Sequence, residues 1–283
     1  RTVLRRNPNH RGRTALDADS IVVDESQSPA SSSTAAADGR LQHVAYDDPA
    51  FTPSTLGLRS ATEGALSYRA GKLLSVHYLA FNAGRRPFNE PGSRRAVVAA
   101  LDRAALAAIR GGVPSNGLLP HGIFERSDTD SLPDVSGTPL RSRRVLGLGF
   151  QRGCGQCAAV ADQVADQLRS LGLVVRAVPL DEVTGVSLLR SDVDLVLGQT
   201  RLPYPDPATF LVTMLGTDVP DAWLPPGVVT EASGLAGRSG DARVRDALRL
   251  AEEWARDAPV AVYATGVMGE LLSGLTCPDQ VDT

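Results

Sequence analysis

From residue 144 to residue 178 the chain reads as a strand, a helix and a second strand in immediate succession. Residues 144–150 are short and apolar. Within 156–171, Ala161, Val164, Ala165, Leu168 and Leu171 recur at three- and four-residue steps, and Gly172 follows as a stop signal. Residues 173–178 return to β-branched character. Two strands joined by a helix of that length lie parallel in one sheet with a right-handed crossover, because the helix must pack back onto the sheet face.

The same alternation continues on both sides. A strand is expected at 76–82, then a helix over 92–109 carrying Val97, Ala100, Leu101, Ala104 and Ala108, ended by Gly111 and Gly112. A buried strand follows at 193–197, and a periodic helix at 241–256 with Val244, Ala247, Leu248, Ala251 and Trp254 on one face and Asp241 as its N-cap. A last strand at 259–263 precedes a loose tail. Before residue 76 the pattern predicts strands at 1–6, 20–23 and 41–45, a turn at 7–12 and a short helix from Pro29 to Asp38 closed by Gly39. Residues 46–75 are loop-rich, and 110–143 form a long turn-rich connection. Strands alternating with helices give the fold class as α/β.

Composition narrows the partners. With 42% hydrophobic residues in 283 and a net charge of −3, the chain buries a core of one to three domains. Its arginines are scattered rather than striped, so no nucleic-acid partner is expected. No apolar run approaches the roughly 20 residues of a membrane-spanning helix. The first residues already read as a strand without a start signal, so the chain is expected to be cut from a longer protein whose leader lies outside it.

Candidates for chemistry are few. Cys154-Gly155-Gln156-Cys157 follows a strand and opens a helix, where the helix N-terminus would lower a thiol pKa. It reads either as a thiol–disulfide redox centre or, with more weight, as a structural disulfide of an exported protein; Cys277 is then an odd thiol. The histidines at 10, 43, 77 and 121 lack metal-ligand spacing, and no metal or cofactor is expected. No serine-hydrolase, zinc-protease or phosphate-loop motif occurs, so no catalytic residue is nominated. Asp192, Asp194 and Asp206 read as solvated ends of elements. One further feature is conformational: Pro203, Pro205 and Pro207 fall within five residues, fixing φ along a strand-to-helix turn before any ligand arrives.

Four segments carry a resemblance. Val3–Gly12, with Arg6-Asn7-Pro8-Asn9-His10-Arg11-Gly12, is similar to a strand followed by an RNPxYxG turn, with His10 in place of the aromatic. Leu79-Ala80-Phe81-Asn82, Arg86-Pro87-Phe88-Asn89, Arg94-Arg95-Ala96 and Leu101-Asp102-Arg103 resemble LxFN…PPFxDxxVRxAxxxAIDR. Val193–Gly198 through Tyr204-Pro205-Asp206-Pro207 resembles DlalxGWxxDYPDP, and Asp257-Ala258-Pro259-Val260 the APVxPLY strand. These are signatures of the extracytoplasmic solute-binding proteins of ABC importers, in the family that includes the dipeptide and oligopeptide binders. The match covers nearly the whole chain but corresponds to the C-terminal half or somewhat more of the family.

The resemblance implies a type II periplasmic-binding-protein clamp of two lobes, crossed twice by the chain near 76–81 and 258–263. Residues 1–78 would be part of the first lobe, 79–257 a complete second α/β lobe, and 258–283 the return to the first. The ligand, a peptide-like or other small solute, would be handed to membrane permease subunits by a monomeric, exported and lipid-anchored protein. The implied ligand-binding residues are Asn82, Thr200, Arg201, Tyr204 and Asp206. Thr200 stands where the family often has Trp, and Pro203 where peptide binders place the aspartate that pairs with a ligand amino group. Arg201 is therefore expected to meet an anionic group. Tyr204 stacks on the ligand or fills the lobe, and Asn82 contacts ligand or caps the turn before Pro87.

Overall fold

The computed structural model describes residues 1–5, 7, 20–25, 28–46, 66–120, 124, 140, 142 and 144–273. The chain forms two compact units, which meet at 69/70 within one long strand and at 268/269 within another. The bounds expected from the sequence lie at 78/79 and 257/258.

In the first unit, β1 (Thr2–Arg5) and β2 (Ser20–Val23) pair antiparallel, from Thr2 opposite Val23 to Arg5 opposite Ser20. Helix α1 (Pro29–Ala37) starts with a reciprocal cap: the Ser31 N–H donates to Ser28 Oγ, and the Ser28 N–H donates to Ser31 Oγ. Asp38 and Gly39 close it, Gly39 at φ +70°. Strand β3 (His43–Tyr46) pairs antiparallel with residues 269–272. Ala36, Val44, Leu66 and Leu271 form a small core.

The second unit is built on a mixed sheet whose strands run β9 (Val260–Ser273), β4 (Leu66–Phe81), β8 (Leu195–Arg201), β6 (Leu146–Gln151), β7 (Val175–Leu180), with β5 (Gly112–Pro114) on the far side of β9. Strands β6 and β7 are parallel, joined by α4 (Cys157–Arg169), as the strand–helix–strand pattern requires. Strand β8 is parallel to β6 and antiparallel to β4. Helices pack on both faces, so strand residues alternate between two cores. Val76, Tyr78 and Ala80 join Phe210, Met214 and Trp254 on one side, while Leu79 and Phe81 join Phe88, Leu106 and Leu168 on the other. Both flanks are fully covered, which is why these strands read as nearly continuous apolar runs. Among the described residues no helix is long and apolar enough to cross a membrane.

Several expectations need correction. Strand β4 begins at Leu66, inside the segment read as loop; Arg69–Lys72 are exposed, so no apolar alternation marks that part of the strand. The helix expected over 92–109 is two helices, α2 (Pro91–Ala100) and α3 (Arg103–Arg110). Leu101 is extended at φ −72°, ψ 120°, and Asp102 accepts the Ala105 N–H at 3.0 Å, so a new cap interrupts an uninterrupted apolar stripe. Helix α8 (Gly240–Asp257) has Ser239 at its N-cap position without a side-chain cap hydrogen bond, and Asp241, expected as the cap, sits inside the first turn. Strand β9 continues to Ser273 where a loose tail was expected. Helices α5 (Gly185–Arg190) and α7 (Val228–Ala236) had no expectation. Residues 8–12 of the N-terminal turn, His10, His121, most of 110–143 beyond Pro120, and Cys277 lie outside the described residues.

Candidate functional site

The end of β8 presents two different polar faces. In the antiparallel pairing with β4, Ser75 lies opposite Arg201, Val76 opposite Thr200, His77 opposite Gln199 and Tyr78 opposite Gly198. Directly opposed residues share a face, so Thr200 and Tyr78 project to one side and Ser75, His77, Gln199 and Arg201 to the other.

On the first face Thr200, 1% exposed, donates its hydroxyl to Asp218 and lies 3.4 Å from the Tyr78 hydroxyl. Asp218 belongs to the single wide turn Met214–Asp218 that follows α6 (Pro207–Thr213). Tyr78, Gly198, Gln199 and Asp218 line a cavity of about 50 Å³ with Val183, Val196 and Val219. Burial pushes the Tyr78 phenol well above its ordinary value, with Asp218 adding to the rise. Burial likewise raises the Asp218 carboxyl, the Thr200 hydrogen bond only partly opposing it. A carboxyl raised on folding is held more weakly as the anion, so its burden on stability grows as pH rises from the unfolded value through the folded one. Asp218→Asn, which keeps an acceptor for Thr200, is therefore expected to be more stable than wild type at pH 7, the two converging as pH falls to about 3. Urea midpoints measured across pH check this; a variant weaker than wild type at pH 7 contradicts it.

On the second face Ser75 and His77 are buried, while Gln199 and Arg201 reach the surface. Arg110, at the end of α3 and 9% exposed, donates from Nη2 to Gln199 Oε1 at 3.3 Å. The His77 ring stacks on Tyr263 of β9 with centroids 6.2 Å apart. Burial, helped by repulsion from Arg110, drives the His77 pKa down to about 3, so the imidazole is neutral at physiological pH.

Beyond β8 the Leu202 N–H donates to the Leu74 carbonyl at 3.0 Å, and Pro203, Tyr204 and Pro205 are exposed, Tyr204 by 51%. Asp206 then caps α6. Its Oδ1 accepts the N–H of Ala208 at 2.9 Å and of Thr209 at 3.2 Å, and its Oδ2 accepts the Thr209 hydroxyl and Arg243 Nε. Burial alone would raise this carboxyl, but the Thr209 groups and the Arg243 guanidinium outweigh it and hold it below the usual range. Asp206→Ala is expected to cost about 1–2 kcal/mol through the lost cap and ion pair. Because the folded pKa is depressed, the part of that difference carried by the charge is full above the unfolded value near 4 and is lost as pH falls through the folded one. Thermal unfolding at pH 7 and pH 3 reads both parts; an equal loss at the two values contradicts the pairing.

The candidate residues thus divide. Thr200 and Asp206 spend their polar atoms within the unit, whereas Arg201 and Tyr204 are exposed, and Arg201 makes no hydrogen bond or ion pair with a described residue. Asn82, 7% exposed, accepts the Gly84 N–H on Oδ1 at 3.2 Å and so caps the turn that leaves β4. Asp192 is exposed, as expected, but Asp194 is not a solvated end: its side chain is fully buried, held by Arg144 and the Gly147 N–H at 3.0 Å. Strand β8 starts at the next residue, which carries Asp194 under the edge of β6. Cys154 and Cys157 form a disulfide at the start of α4. Ser75, His77, Arg110 and Ser115 escaped sequence reasoning. They lie 40 residues apart at the extremes, and only the opposition of β4, β8 and β9 brings them together.

The architecture is that of type II periplasmic-binding proteins. A putative peptide-binding protein AppA of Clostridium difficile superposes with a TM-score of 0.70 at 15% identity, over 96% of this chain and 59% of that one. NikA of Brucella suis, in complex with Fe(III)-EDTA, gives 0.72 at 16% identity over 96% and 60%. The dipeptide-binding protein of Pseudoalteromonas sp. SM9913, in complex with Met-Leu, gives 0.62 at 18% identity over 85% and 51%. This chain spans three fifths or less of the length of these structures. The chain belongs to the bacterial extracellular solute-binding proteins, family 5 Middle, whose pattern matches residues 1–220. No curated protein matches it.

Proposed function

We propose that this chain is the solute-capturing part of an ABC-importer receptor: it binds a peptide-like or other small solute without chemical change and passes it to membrane permease subunits. Family membership supports the class, and the solved relatives with peptide ligands support the kind of solute. Residues 79–257 act as one whole lobe, with 1–78 and 258–283 contributing to the other, in an exported, lipid-anchored monomer. The observation that carries the reading is the exposed pair Arg201 and Tyr204 on a turn that Asp206 and three prolines hold in one shape. A preformed turn lowers the ordering cost of binding, a guanidinium with no described partner meets an anionic group, and a tyrosine supplies flat contact area. The disulfide at Cys154–Cys157 is assigned to bracing the start of α4.

Mass spectrometry of small molecules released from the exported full-length protein identifies the solute. Arg201→Gln is then expected to weaken its binding about tenfold or more, in line with about 1.5–3 kcal/mol for a charge-assisted hydrogen bond. Unchanged affinity in both Arg201→Gln and Tyr204→Ala would overturn the placement of the site.

A further inference from the structure

We propose that the buried cluster of Ser75, His77, Arg110 and Ser115 in the second unit is a subsite for a carboxylate group of the solute. The proposal rests on the solute-binding reading above and assigns the chemistry of one part of that solute. Ser75, His77 and Ser115 are 0%, 1% and 7% exposed, and Ser75 Oγ, His77 Nε2 and Ser115 Oγ have no hydrogen-bond partner among the described residues. A buried polar atom left unpaired is costly, so three in one unit point to something that meets them.

They converge from three elements. Ser75 and His77 alternate on β4 and share a face. Gly266 of β9 backs them: a methyl there would press on Ser75 Oγ and lie 3.4 Å from His77 Nε2, so only a bare backbone leaves room for the Ser75 hydroxyl. Ser115 approaches from the far side of β9: its N–H donates to the Tyr263 carbonyl at 3.2 Å, and the Tyr263 ring stacks on His77. Arg110 closes the cluster through its bond to Gln199, the residue opposite His77.

Charge decides what fits. Arg110 has no ion pair with a described carboxylate, and the bond to Gln199 is its single hydrogen bond among the described residues, which leaves most of its five N–H donors for a guest. With His77 neutral and two hydroxyls beside it, the cluster carries one positive charge, matching a monoanion with two in-plane acceptor oxygens. A phosphate dianion would need a second cation. One carboxylate oxygen pair takes the guanidinium fork, and the hydroxyls and the imidazole, in the tautomer protonated at Nε2, donate to the remaining lone pairs. The cluster meets solvent at Gln199 and Pro114, both exposed, and at Arg201, which lies opposite Ser75.

The test is a titration of the whole chain with sodium acetate, followed by the NMR signals of the His77 ring nitrogens and the Ser115 amide, against sodium chloride of equal ionic strength, acetamide and inorganic phosphate. Acetate is expected to give saturable shifts at millimolar concentration, acetamide and chloride none, and phosphate a weaker response than acetate. In Arg110→Gln the acetate response should weaken by about tenfold or more. Should that variant fail to fold, Ser115→Ala, which removes one small donor, is expected to weaken it about threefold. No saturable shift with acetate, a response unchanged in the variants, or tighter binding of phosphate would each overturn the subsite. Solute capture is measured separately: a protein that retains a solute but ignores acetate loses the subsite and keeps the binding function.

Discussion

Arg94→Met is expected to destabilise the second unit by about 3 kcal/mol, the cost of leaving several buried acceptors without a charged donor. Arg94 is 2% exposed and has no carboxylate at hydrogen-bonding distance among the described residues; its guanidinium donates instead to main-chain carbonyls. Nη1 reaches Phe88 O at 2.8 Å, Nη2 reaches Asp257 O at 2.9 Å, and Nε is shared between Ala258 O at 3.1 Å and Asp257 O at 3.2 Å. The last carbonyls of a helix have no partner within it and carry its negative end, so a cation at the end of α8 meets both needs at once. Ala258 there adopts φ 48°, a left-handed conformation that is unfavourable for any residue with a Cβ. Burial lowers the Arg94 pKa, most of the environment being apolar, yet a guanidinium stays charged. Lysine cannot reproduce a planar fork over three carbonyls, so Arg94→Lys should recover less than half of the loss. Both tryptophans, Trp223 and Trp254, lie in this unit, so urea unfolding followed by fluorescence reports it directly. A change below about 1 kcal/mol would mean that water replaces the side chain without cost.

Arg94 also shows how a recognisable pattern differs from a site. Arg94 and Arg103 both fall in the segment that carried the strongest resemblance, and both are structural: Arg103 donates to Val98 O at 2.8 Å and Val262 O at 3.1 Å, tying α2 to β9. The strand–helix–strand core, the Pro207 helix start and the return strand were legible because apolar period and turn chemistry are local. The split of α2 from α3 was not, since Leu101 continues the apolar stripe and only the Asp102 cap breaks it. Asp194 defeated the expectation of exposed carboxylates because its partner Arg144 is 50 residues away. The polar cluster on β4 was the least legible. Ser75 and His77 acquire meaning only from Arg110, Ser115 and Gly266, which the placement of α3 and the strand pairing bring near them and which no spacing along the chain encodes. Arg201 and Tyr204, by contrast, were nominated from the family resemblance, because that signature is written in consecutive residues.

Gly198→Ala is the second large effect expected, about 3 kcal/mol, from overpacking a buried ring. Gly198 lies opposite Tyr78 in the β4–β8 pairing, and the phenol crosses over it: a methyl at residue 198 would stand 2.6 Å from Tyr78 Cζ and 2.8 Å from its hydroxyl oxygen. Beside the ring lies the cavity of about 50 Å³ that it lines with Gly198 and Asp218, too small to take a displaced phenol. Tyr78 is 1% exposed within a core that includes Phe210, Met214 and Val196, and its hydroxyl sits beside Thr200 and Asp218. A dense core accommodates added volume only by moving side chains off their preferred rotamers or shifting backbone. The backbone that would shift here is the end of β8, two residues from Thr200 and three from Arg201, so under the proposed function the same substitution should weaken solute binding as well as stability. Truncating the ring separates the two contributions. Tyr78→Leu leaves room for the methyl, and the double variant should then be more stable than the sum of the single losses predicts by about 1–2 kcal/mol, a coupling measurable by a double-mutant cycle. Additive losses would show that the glycine is needed for its backbone freedom instead; its φ is not in the left-handed region, which argues for the ring.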